Sequence, residues 1–207
     1  RVFREGIEGI SPIDLAFAEE LGYAVRLLAI AQRTDGGVSA RVHPAMIPLD
    51  HPLAAIRGAT NAILIQGPAV GELLFAGPGA GGEPTATAVL GDVIDAARDL
   101  RSGSQVVPRI AFQSGSVVDA AEVPTRWYLR LEVADKPGAL ARIATVFADA
   151  GVSIRSVWQE GRGDEATLLI VTHEALEKQQ RAAADTLHHL DVVEDEVAAI
   201  RVEGEAE

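Results

Sequence analysis

The stretch from Asp135 to Leu140 brings together groups that suit the binding of a small amino acid. It reads D-K-P-G-A-L and lies where an alternating run ends and an amphipathic run begins. The free backbone N–H groups at a helix start bind carboxylates, and the Asp135 carboxylate can accept an ammonium group. Gly138 has no side chain, so a ligand can approach the backbone there. The alternative interpretation is structural, with Asp135 only a helix cap and Gly138 only a tight turn.

A second candidate is the glycine-rich segment from Gly77 to Pro84, which reads G-P-G-A-G-G-E-P. It follows a predicted strand, Glu72 to Ala76, and precedes a predicted helix, Thr85 to Leu100. A strand, a loop of small residues and a helix start form an arrangement that cradles anions. We interpret the five residues from Gly77 to Gly81 as falling short of the dinucleotide pattern G-x-G-x-x-G. A flexible connection explains such glycines about as often.

The elements around the Asp135 corner follow the order β-α-β-β-α-β. Apolar residues alternate from Trp127 to Val133, which predicts a strand with one apolar face. From Leu140 they recur at three-four spacing up to Gly151, which predicts a helix capped by Asp135, with Pro137 in its first turn. This order is the split βαβ plan. The remaining predicted elements are the strands 152–160, 166–172 and 193–202, a hairpin turn at 161–164 and a helix at 174–190.

The first half of the chain predicts a helix followed by two hairpins and a second helix. Ser11 is the expected N-cap of the first helix, whose inner face would carry Leu15, Ala18 and Leu21. The predicted strands are 23–32, 38–47, 61–66 and 72–76, and the second helix is expected to bury Val89, Val93, Ile94 and Ala97. On the first hairpin we interpret Arg33, Arg41 and His43 as polar side chains on a solvated sheet face.

Composition narrows the classes of function. The chain has 207 residues, a formal net charge of −12 and no cysteine. The acidic balance argues against nucleic-acid binding, and the lack of cysteine removes disulfides and thiolate chemistry. No apolar run approaches the roughly 20 residues that span a bilayer, and no His spacing is typical of a metal site. We therefore expect no nucleic-acid, membrane or metal partner and, by default, a cytoplasmic location.

The β-α-β-β-α-β order, with D-x-P-G-x-L at its first strand–helix corner, resembles the ACT domain. These small modules usually bind an amino acid and regulate an attached enzyme. Many relatives carry Asn where this chain has Ser153, and a hydroxyl can still form a hydrogen bond. The resemblance implies an effector site made of Asp135, Lys136, Gly138, Ala139, Leu140 and Ser153.

Five motifs resemble, in the same order, those of homoserine dehydrogenase. They are E-G-I-x-x-I from Glu5, R-V-H-P from Arg41, H-P-L-A from His51, G-x-x-N-A from Gly58 and G-P-G-A-G-x-x-P-T-A from Gly77. Members interconvert aspartate semialdehyde and homoserine with NAD(P)H, and many bacterial members carry an ACT-like module at this place. The resemblance implies that the nicotinamide cofactor contacts Gly77, Gly79, Ala80 and Gly81. It also implies a homo-oligomer formed through the sheet and the ACT domain, with threonine as the effector.

The expected fold class is α+β. It comprises a partial substrate and dimerisation domain with a mixed β-sheet and helices, followed by a ferredoxin-like βαββαβ ACT domain. We expect the C-terminal part of the catalytic domain in residues 1–101, a linker in 102–125 that contains a β-like run at 106–112, and the ACT domain in 126–203.

No catalytic residue is assigned in this chain. The family's catalytic lysines precede E-G-I, whereas the two lysines here, Lys136 and Lys178, lie in the ACT-like half. We therefore expect a C-terminal piece of the enzyme that is inactive and binds no NAD(P) by itself. One alternative is a non-enzymatic sensor that binds an amino acid and signals through dimerisation. Another is a module that has lost its ligand and only holds subunits together.

Overall fold

The computed structural model describes residues 2–103, 115–134, 136–161, 166–194 and 197–204. Its strands are β1 (Phe3–Arg4), β2 (Tyr23–Thr34), β3 (Gly37–Pro48), β4 (Thr60–Gly67), β5 (Gly71–Pro78), β6 (Pro124–Val133), β7 (Ile154–Gly161), β8 (Ala166–Thr172), β9 (Ala175–Leu176) and β10 (Ala198–Val202). Its α-helices are α1 (Pro12–Glu20), α2 (Gly82–Ser102), α3 (Ala139–Asp149) and α4 (Glu177–Leu187), with short 3-10 turns at Pro52–Ala55 and Ala120–Glu122. The β-like run predicted at 106–112 and the turn residues 162–164 lie outside the described residues.

The chain divides into two units. The sheet unit comprises Arg1–Ala54 and Gly115–Glu207, and the hairpin unit comprises Ala55–Ser114. This division differs from the expected boundaries at residues 101 and 126, because the first 54 residues group with the C-terminal module. The functional assignment of 1–101, 102–125 and 126–203 stays a prediction.

Six elements of the sheet unit form the predicted β-α-β-β-α-β arrangement, called here the βαββαβ module: β6, α3, β7, β8, α4 and β10. Its strands lie in the order β10-β6-β8-β7, and neighbouring strands are antiparallel. The alternating apolar side chains of β6, from Trp127 to Val133, share a buried cluster with Ile143 and Phe147 of α3 and Leu187 of α4. The predicted α+β class is confirmed, although α4 and β10 are shorter than the predicted runs.

The opposite face of the same sheet is also covered. Phe17 and Ala18 of α1 share a second buried cluster with Tyr128, Leu169 and Ile200. The sequence pattern correctly predicted one apolar face for β6, but it did not predict that Tyr128 is fully buried on the other face. The covering helix lies far earlier in the chain, where a local pattern in β6 cannot reveal it.

Helix α1 begins at Ser11, as predicted. Ser11 N–H donates to the Asp14 carboxylate at 3.0 Å and Asp14 N–H donates to Ser11 Oγ at 3.4 Å, which forms a capping box. Ala18 is buried as expected, but Leu15 is 49% exposed and Phe17 takes its place on the inner face. The inner stripe therefore contains a carboxylate, Asp14, that hydrophobic spacing alone does not select.

Strand β3 forms a long hairpin with β2, as predicted, and its other edge receives three segments in succession. Val38 exchanges backbone hydrogen bonds with Ser116 and Val118. Strand β1 then pairs in parallel with residues 41–42, and β10 pairs in parallel with residues 45–46. One edge of β3 thus pairs with three parts of the chain: the described end of the predicted linker, the N-terminal strand and the last strand of the βαββαβ module.

The hairpin unit consists of β4, β5 and α2. The two strands pair regularly from Thr60 opposite Pro78 to Gly67 opposite Gly71. The expectation that α2 buries one face is wrong for the described residues, because none of its side chains is buried. Of the four residues expected to be buried, Val89, Val93 and Ile94 are at least half exposed. Ala97 is also exposed. The spacing predicts an apolar face correctly, but no described element covers it.

No helix among the described residues is both long enough and apolar enough to cross a membrane. In the same part of the chain, no group of three or more His, Asp or Glu side chains is placed to hold a metal ion.

Candidate functional site

The glycine-rich loop joins β5 to α2 and leaves the start of that helix open. Gly81 is the N-cap, and no side chain caps the helix. Thr85 N–H donates to Gly81 C=O at 3.1 Å, which is the first helical hydrogen bond. Because Pro84 has no N–H, the donors without a helical acceptor are those of Gly82 and Glu83. These N–H groups lie at the positive end of the helix dipole.

Gly79 lies against β4 because it has no side chain. A Cβ at this position would overlap the side-chain amide of Asn61. Asn61 also lies opposite Gly77 in the register of the hairpin. Gly77 and Ala80 line a shallow cavity of about 290 Å³. Ligand sites enclose about 300–1,000 Å³. The loop therefore does not enclose a dinucleotide by itself.

The residue after this glycine-rich pentapeptide, Gly82, corrects the statement that the loop falls short of the dinucleotide pattern. Gly77, Gly79 and Gly82 do satisfy G-x-G-x-x-G, and a strand precedes them while a helix follows. The dinucleotide fingerprint requires that strand to belong to a parallel βαβ unit. Within the described hairpin unit, β5 pairs only in the antiparallel direction, with β4. The glycine spacing is therefore present in a different structural context.

The corner before α3 leaves the helix start accessible. Gly138 is the N-cap, with φ of +92° and no side-chain cap, which corrects the predicted N-cap at Asp135 and places Pro137 before the helix. Asp135 itself lies outside the described residues. Lys136 is exposed, and its C=O accepts from Ala139 N–H at 3.0 Å. The next N–H, that of Leu140, has no acceptor within the helix, and its side chain is 47% exposed.

Ser153 lies at the other end of α3 from this corner. The helix has 11 residues, so it is about 16 Å long at 1.5 Å per residue. Gly138 precedes its first residue, whereas Ser153 follows its last turn and is exposed. One chain therefore cannot place both ends against the same amino acid. The structure separates the predicted effector set into a corner group and Ser153.

The sheet unit contains a buried ion-pair network that the sequence did not predict. Arg201 of β10 donates to both oxygens of Glu5 at 2.9 and 3.0 Å, and to Glu177 Oε1 of α4 at 2.6 and 3.1 Å. Arg181 donates to the same Glu177 oxygen at 2.8 and 3.0 Å. The guanidinium groups of Arg181 and Arg201 lie 4.5 and 5.1 Å from the centre of the Phe3 ring.

Glu177 is ionised in this network. Burial alone would raise its pKa, but hydrogen bonds and charge from Arg201, with further hydrogen bonds from Thr125 and Arg181, lower the pKa to about 2. Its second oxygen accepts from Thr125 Oγ1 at 2.8 Å and from Trp127 Nε1 at 3.1 Å. Every oxygen of this buried carboxylate is therefore used, as a buried charge requires.

A second ion-pair group lies under α1. Arg130 Nε donates to Asp14 at 2.7 Å, and Arg130 Nη1 donates to Glu132 at 2.8 Å. Burial acts to raise the pKa of Asp14, but hydrogen bonds from Arg130 and Ser11 outweigh it and hold the pKa below its usual value. This pair ties α1 to β6 and explains why a carboxylate lies on the inner face of that helix.

The interpretation of Arg41 and His43 as solvated is wrong, because they are 5% and 0% exposed, while Arg33 is exposed as expected. Arg41 pairs with Glu203 at 2.9 Å. His43 Nδ1 lies 2.9 Å from Pro44 C=O, and burial lowers its pKa against the opposing effect of that carbonyl. The available signal was a charge between apolar neighbours in a predicted strand, as in A-R-V at Arg41 and I-R-V at Arg201.

Comparison with known proteins agrees with the motifs. A family model for homoserine dehydrogenase matches residues 1–94, and a model for the ACT domain matches residues 127–191. The homoserine dehydrogenase of Mycobacterium tuberculosis is 44% identical over 98% of this chain and 48% of its own length. That of Corynebacterium glutamicum is 40% identical over 98% of this chain and 46% of its own length. Over almost its whole length the chain is therefore similar to homoserine dehydrogenases.

A solved structure of a homoserine dehydrogenase from Thiobacillus denitrificans has the same fold. It matches with a TM-score of 0.88 and 39% identity, over 98% of this chain and 48% of that one. The structure of the S. aureus homoserine dehydrogenase at pH 7.0 matches with a TM-score of 0.66 and 26% identity. The chain spans about half the length of the homoserine dehydrogenases that it matches.

Proposed function

We propose that this chain is the C-terminal part of a homoserine dehydrogenase that interconverts L-aspartate semialdehyde and L-homoserine with NAD(P)H. The observation that carries the proposal is 44% identity over 98% of the chain to a homoserine dehydrogenase. The family and ACT matches follow one another in the same chain, which supports amino-acid control of that enzyme.

In this proposal the loop 77–82 forms one wall of the cofactor site. The surface at Gly79 has no side chain, and the N–H groups of Gly82 and Glu83 offer hydrogen-bond donors. The Glu83 carboxylate lies in the same first turn and disfavours a phosphate there. The loop therefore suits the nicotinamide end, which carries no negative charge, better than the pyrophosphate. When bound, NAD(P) carries the hydride, and this chain positions it.

The proton that accompanies hydride transfer requires an acid–base group close to the substrate oxygen. Neither lysine of this chain suits that role. Lys178 is on α4 and pairs with Glu122 at 2.8 Å, and Lys136 is exposed beside the α3 corner. We assign no catalytic residue here, and the chain alone is expected to show no dehydrogenase activity.

The regulatory part of the proposal places an amino acid, with threonine the first to test, at the α3 corner. The corner group is Lys136, Gly138, Ala139 and Leu140, with Asp135 proposed for the ammonium group. Because about 16 Å separates the ends of α3, Ser153 can contribute only from a second copy of the chain. The effector site is therefore proposed to form between two modules of a homo-oligomer.

The loop is tested in the complete dehydrogenase by replacing Gly79 with Ala. The added methyl would displace either the loop or Asn61, and a misplacement of about 1 Å can lower kcat/KM on the order of a hundredfold. Gly91→Ala is the matched control, since its Cβ meets nothing within 4 Å. Equal kcat/KM for NAD(P)H in both variants would remove the loop from the cofactor site. A parent protein with no homoserine-dependent reduction of NAD(P) would refute the activity itself.

The corner is tested by titrating threonine into the same complete protein. Asp135→Ala is expected to raise the threonine concentration needed for half-maximal inhibition. Mixed oligomers that carry Asp135→Ala in one copy and Ser153→Ala in the other would distinguish one effector site shared by two copies from two independent sites. Unchanged inhibition in Asp135→Ala would place the effector elsewhere.

A further inference from the structure

The Glu5–Arg201–Glu177 ion pairs join two parts of the chain that the family comparisons separate. Glu5 lies within the region matched by the homoserine dehydrogenase model, and Glu177 within the region matched by the ACT model. Arg201 is 3% exposed and donates two hydrogen bonds to each carboxylate. This guanidinium is therefore a physical link between the regulatory module and the segment that starts the dehydrogenase match.

The segment 2–7 has little apolar packing to fix its position. Val2 is 46% exposed and Ile7 is 59% exposed. One cavity of about 510 Å³ is lined by Val2 and Phe3, and another of about 520 Å³ is lined by Glu5, Gly6 and Arg130. The segment is held by β1 pairing, by Glu5 N–H donating to Val42 C=O at 2.8 Å, by the contacts of the Phe3 ring with Arg181 and Arg201, and by the Arg201–Glu5 ion pair. Because the adjoining space is open, loss of the Arg201 contacts would leave the segment free to shift.

Contacts also connect the α3 corner to Glu177. Helices α3 and α4 share one buried cluster through Ile143, Phe147 and Leu187. Gln179, two residues after Glu177, donates from Nε2 to Ala150 C=O at the end of α3 at 3.2 Å. A ligand that moves α3 therefore acts on the first turn of α4, where Glu177 holds Arg201.

The structure contains Arg201 bound to both carboxylates, and a shift of the segment requires a second arrangement in which Glu177 alone is bound. With both carboxylates bound, the segment 2–7 is fixed to β10. With Glu177 alone bound, the guanidinium remains paired while Glu5, whose side chain is 40% exposed, goes to solvent. We propose that effector binding at the module shifts Arg201 between these two states and thereby repositions the segment 2–7. The inference deepens the proposed function and rests on its regulatory part.

The test compares Glu5→Gln with Glu8→Gln in the complete enzyme. Glu5→Gln keeps the side-chain length but removes the charge that pairs with Arg201. Glu8 lies in the same loop and is exposed, so its replacement is the matched control. The measurement is the ratio of inhibited to uninhibited turnover over a threonine titration, with isoleucine and methionine as parallel probes. Allosteric coupling is typically about 5–150-fold. We expect Glu5→Gln to lose at least about fivefold of the inhibition and Glu8→Gln to retain it.

Hydrogen exchange of the amides in residues 3–7 gives a second readout that a purely structural role would not change. Addition of the inhibitory amino acid should alter their protection in the parent and in Glu8→Gln, but not in Glu5→Gln. If the parent is inhibited and Glu5→Gln behaves like Glu8→Gln in both measurements, this inference is overturned while the proposed function stands. If none of the three amino acids inhibits the parent, the regulatory proposal and this inference are both overturned.

Discussion

Helices α3 and α2 have the same kind of sequence pattern but different surroundings. In α3, Ile143 and Phe147 are 0% and 1% exposed. In α2, Val93 and Ile94 are 58% and 50% exposed, although three-four spacing predicts an apolar face in both. The periodicity of a helix thus shows which side is apolar, whereas the rest of the fold determines whether that side is covered.

The strands of the two units show the same difference. Strand β6 is covered on both faces, and Leu129 and Tyr128, on opposite sides, are fully buried. The hairpin β4–β5 leaves Ile63 and Phe75 65% and 58% exposed. A two-stranded hairpin is at best marginally stable without a covering layer. Exposed apolar surface of this kind is typical of contact faces, and it supports the proposed larger assembly.

The largest effect expected from this comparison is in the α3 core. Ile143→Ala should lower the free energy of unfolding by about 2–5 kcal/mol, because it leaves a cavity in a fully buried cluster. The matched variant Ile94→Ala removes the same atoms from the exposed face of α2. It should change the free energy of unfolding by less than about 0.5 kcal/mol. Guanidinium unfolding followed by the fluorescence of buried Trp127 and by helical circular dichroism measures both units.

A cost for Ile94→Ala close to that of Ile143→Ala would contradict the comparison. It would mean that the apolar face of α2 is covered in solution. The same pair measured in the complete enzyme sharpens the test, since the proposal expects the cost of Ile94→Ala to rise when that face gains a partner.

A somewhat smaller effect is expected from the pH dependence of Glu177. Its pKa is lowered from 4.5 to about 2 in the folded state. The resulting stabilisation is complete above about pH 4.5 and is lost as pH falls toward about 2, a change on the order of 3 kcal/mol. Glu177→Gln should therefore show a shallower loss of unfolding free energy over this window. Glu160→Gln, which removes an exposed carboxylate of β7, is the control, and equal slopes in both variants would refute the assignment.

The smallest effect is expected from the glycines at the two helices. Gly138 has φ of +92°, so Gly138→Ala should cost about 1–2 kcal/mol from backbone strain alone, since a Cβ there meets nothing within 4 Å. Gly91 lies inside α2 in equally open space. Gly91→Ala should be neutral or stabilise by up to about 1 kcal/mol, because Ala is the better helix former. Thermal unfolding monitored by circular dichroism shows whether the two substitutions change stability in opposite directions.

The predictions from sequence succeeded where the signal is local. The alternation from Trp127 to Val133, the Ser11 cap and the glycine after α3 depend on neighbours within a few residues, and the structure contains each of them. The start of α3 was also predicted from local residues, although its N-cap is Gly138 and not Asp135. Helix α2 begins at Gly82, before the predicted start at Thr85. The five residues from Gly77 to Gly81 fall short of G-x-G-x-x-G, and the pattern is complete only with Gly82.

The buried charges could not be predicted because their partners are distant in sequence. Arg201 and Glu5 are 196 positions apart, and Arg130 and Asp14 are 116 apart. A charged residue next to apolar ones suggests burial, but it does not identify the opposite charge. The separation of Ser153 from the α3 corner also depends on the three-dimensional length of a helix.

The edge of β3 has a practical consequence for cutting this protein into parts. A regulatory cassette taken at residue 126 would include β10 but leave behind the strand that pairs with its residues 201–202. Tyr128 and Ile200 would lose the helix that covers them, and Arg201 would keep only one of its two carboxylates. A transplantable sensor therefore has to carry residues 2–54 along with it, and any donor gene should be cut on the far side of the hairpin that they form.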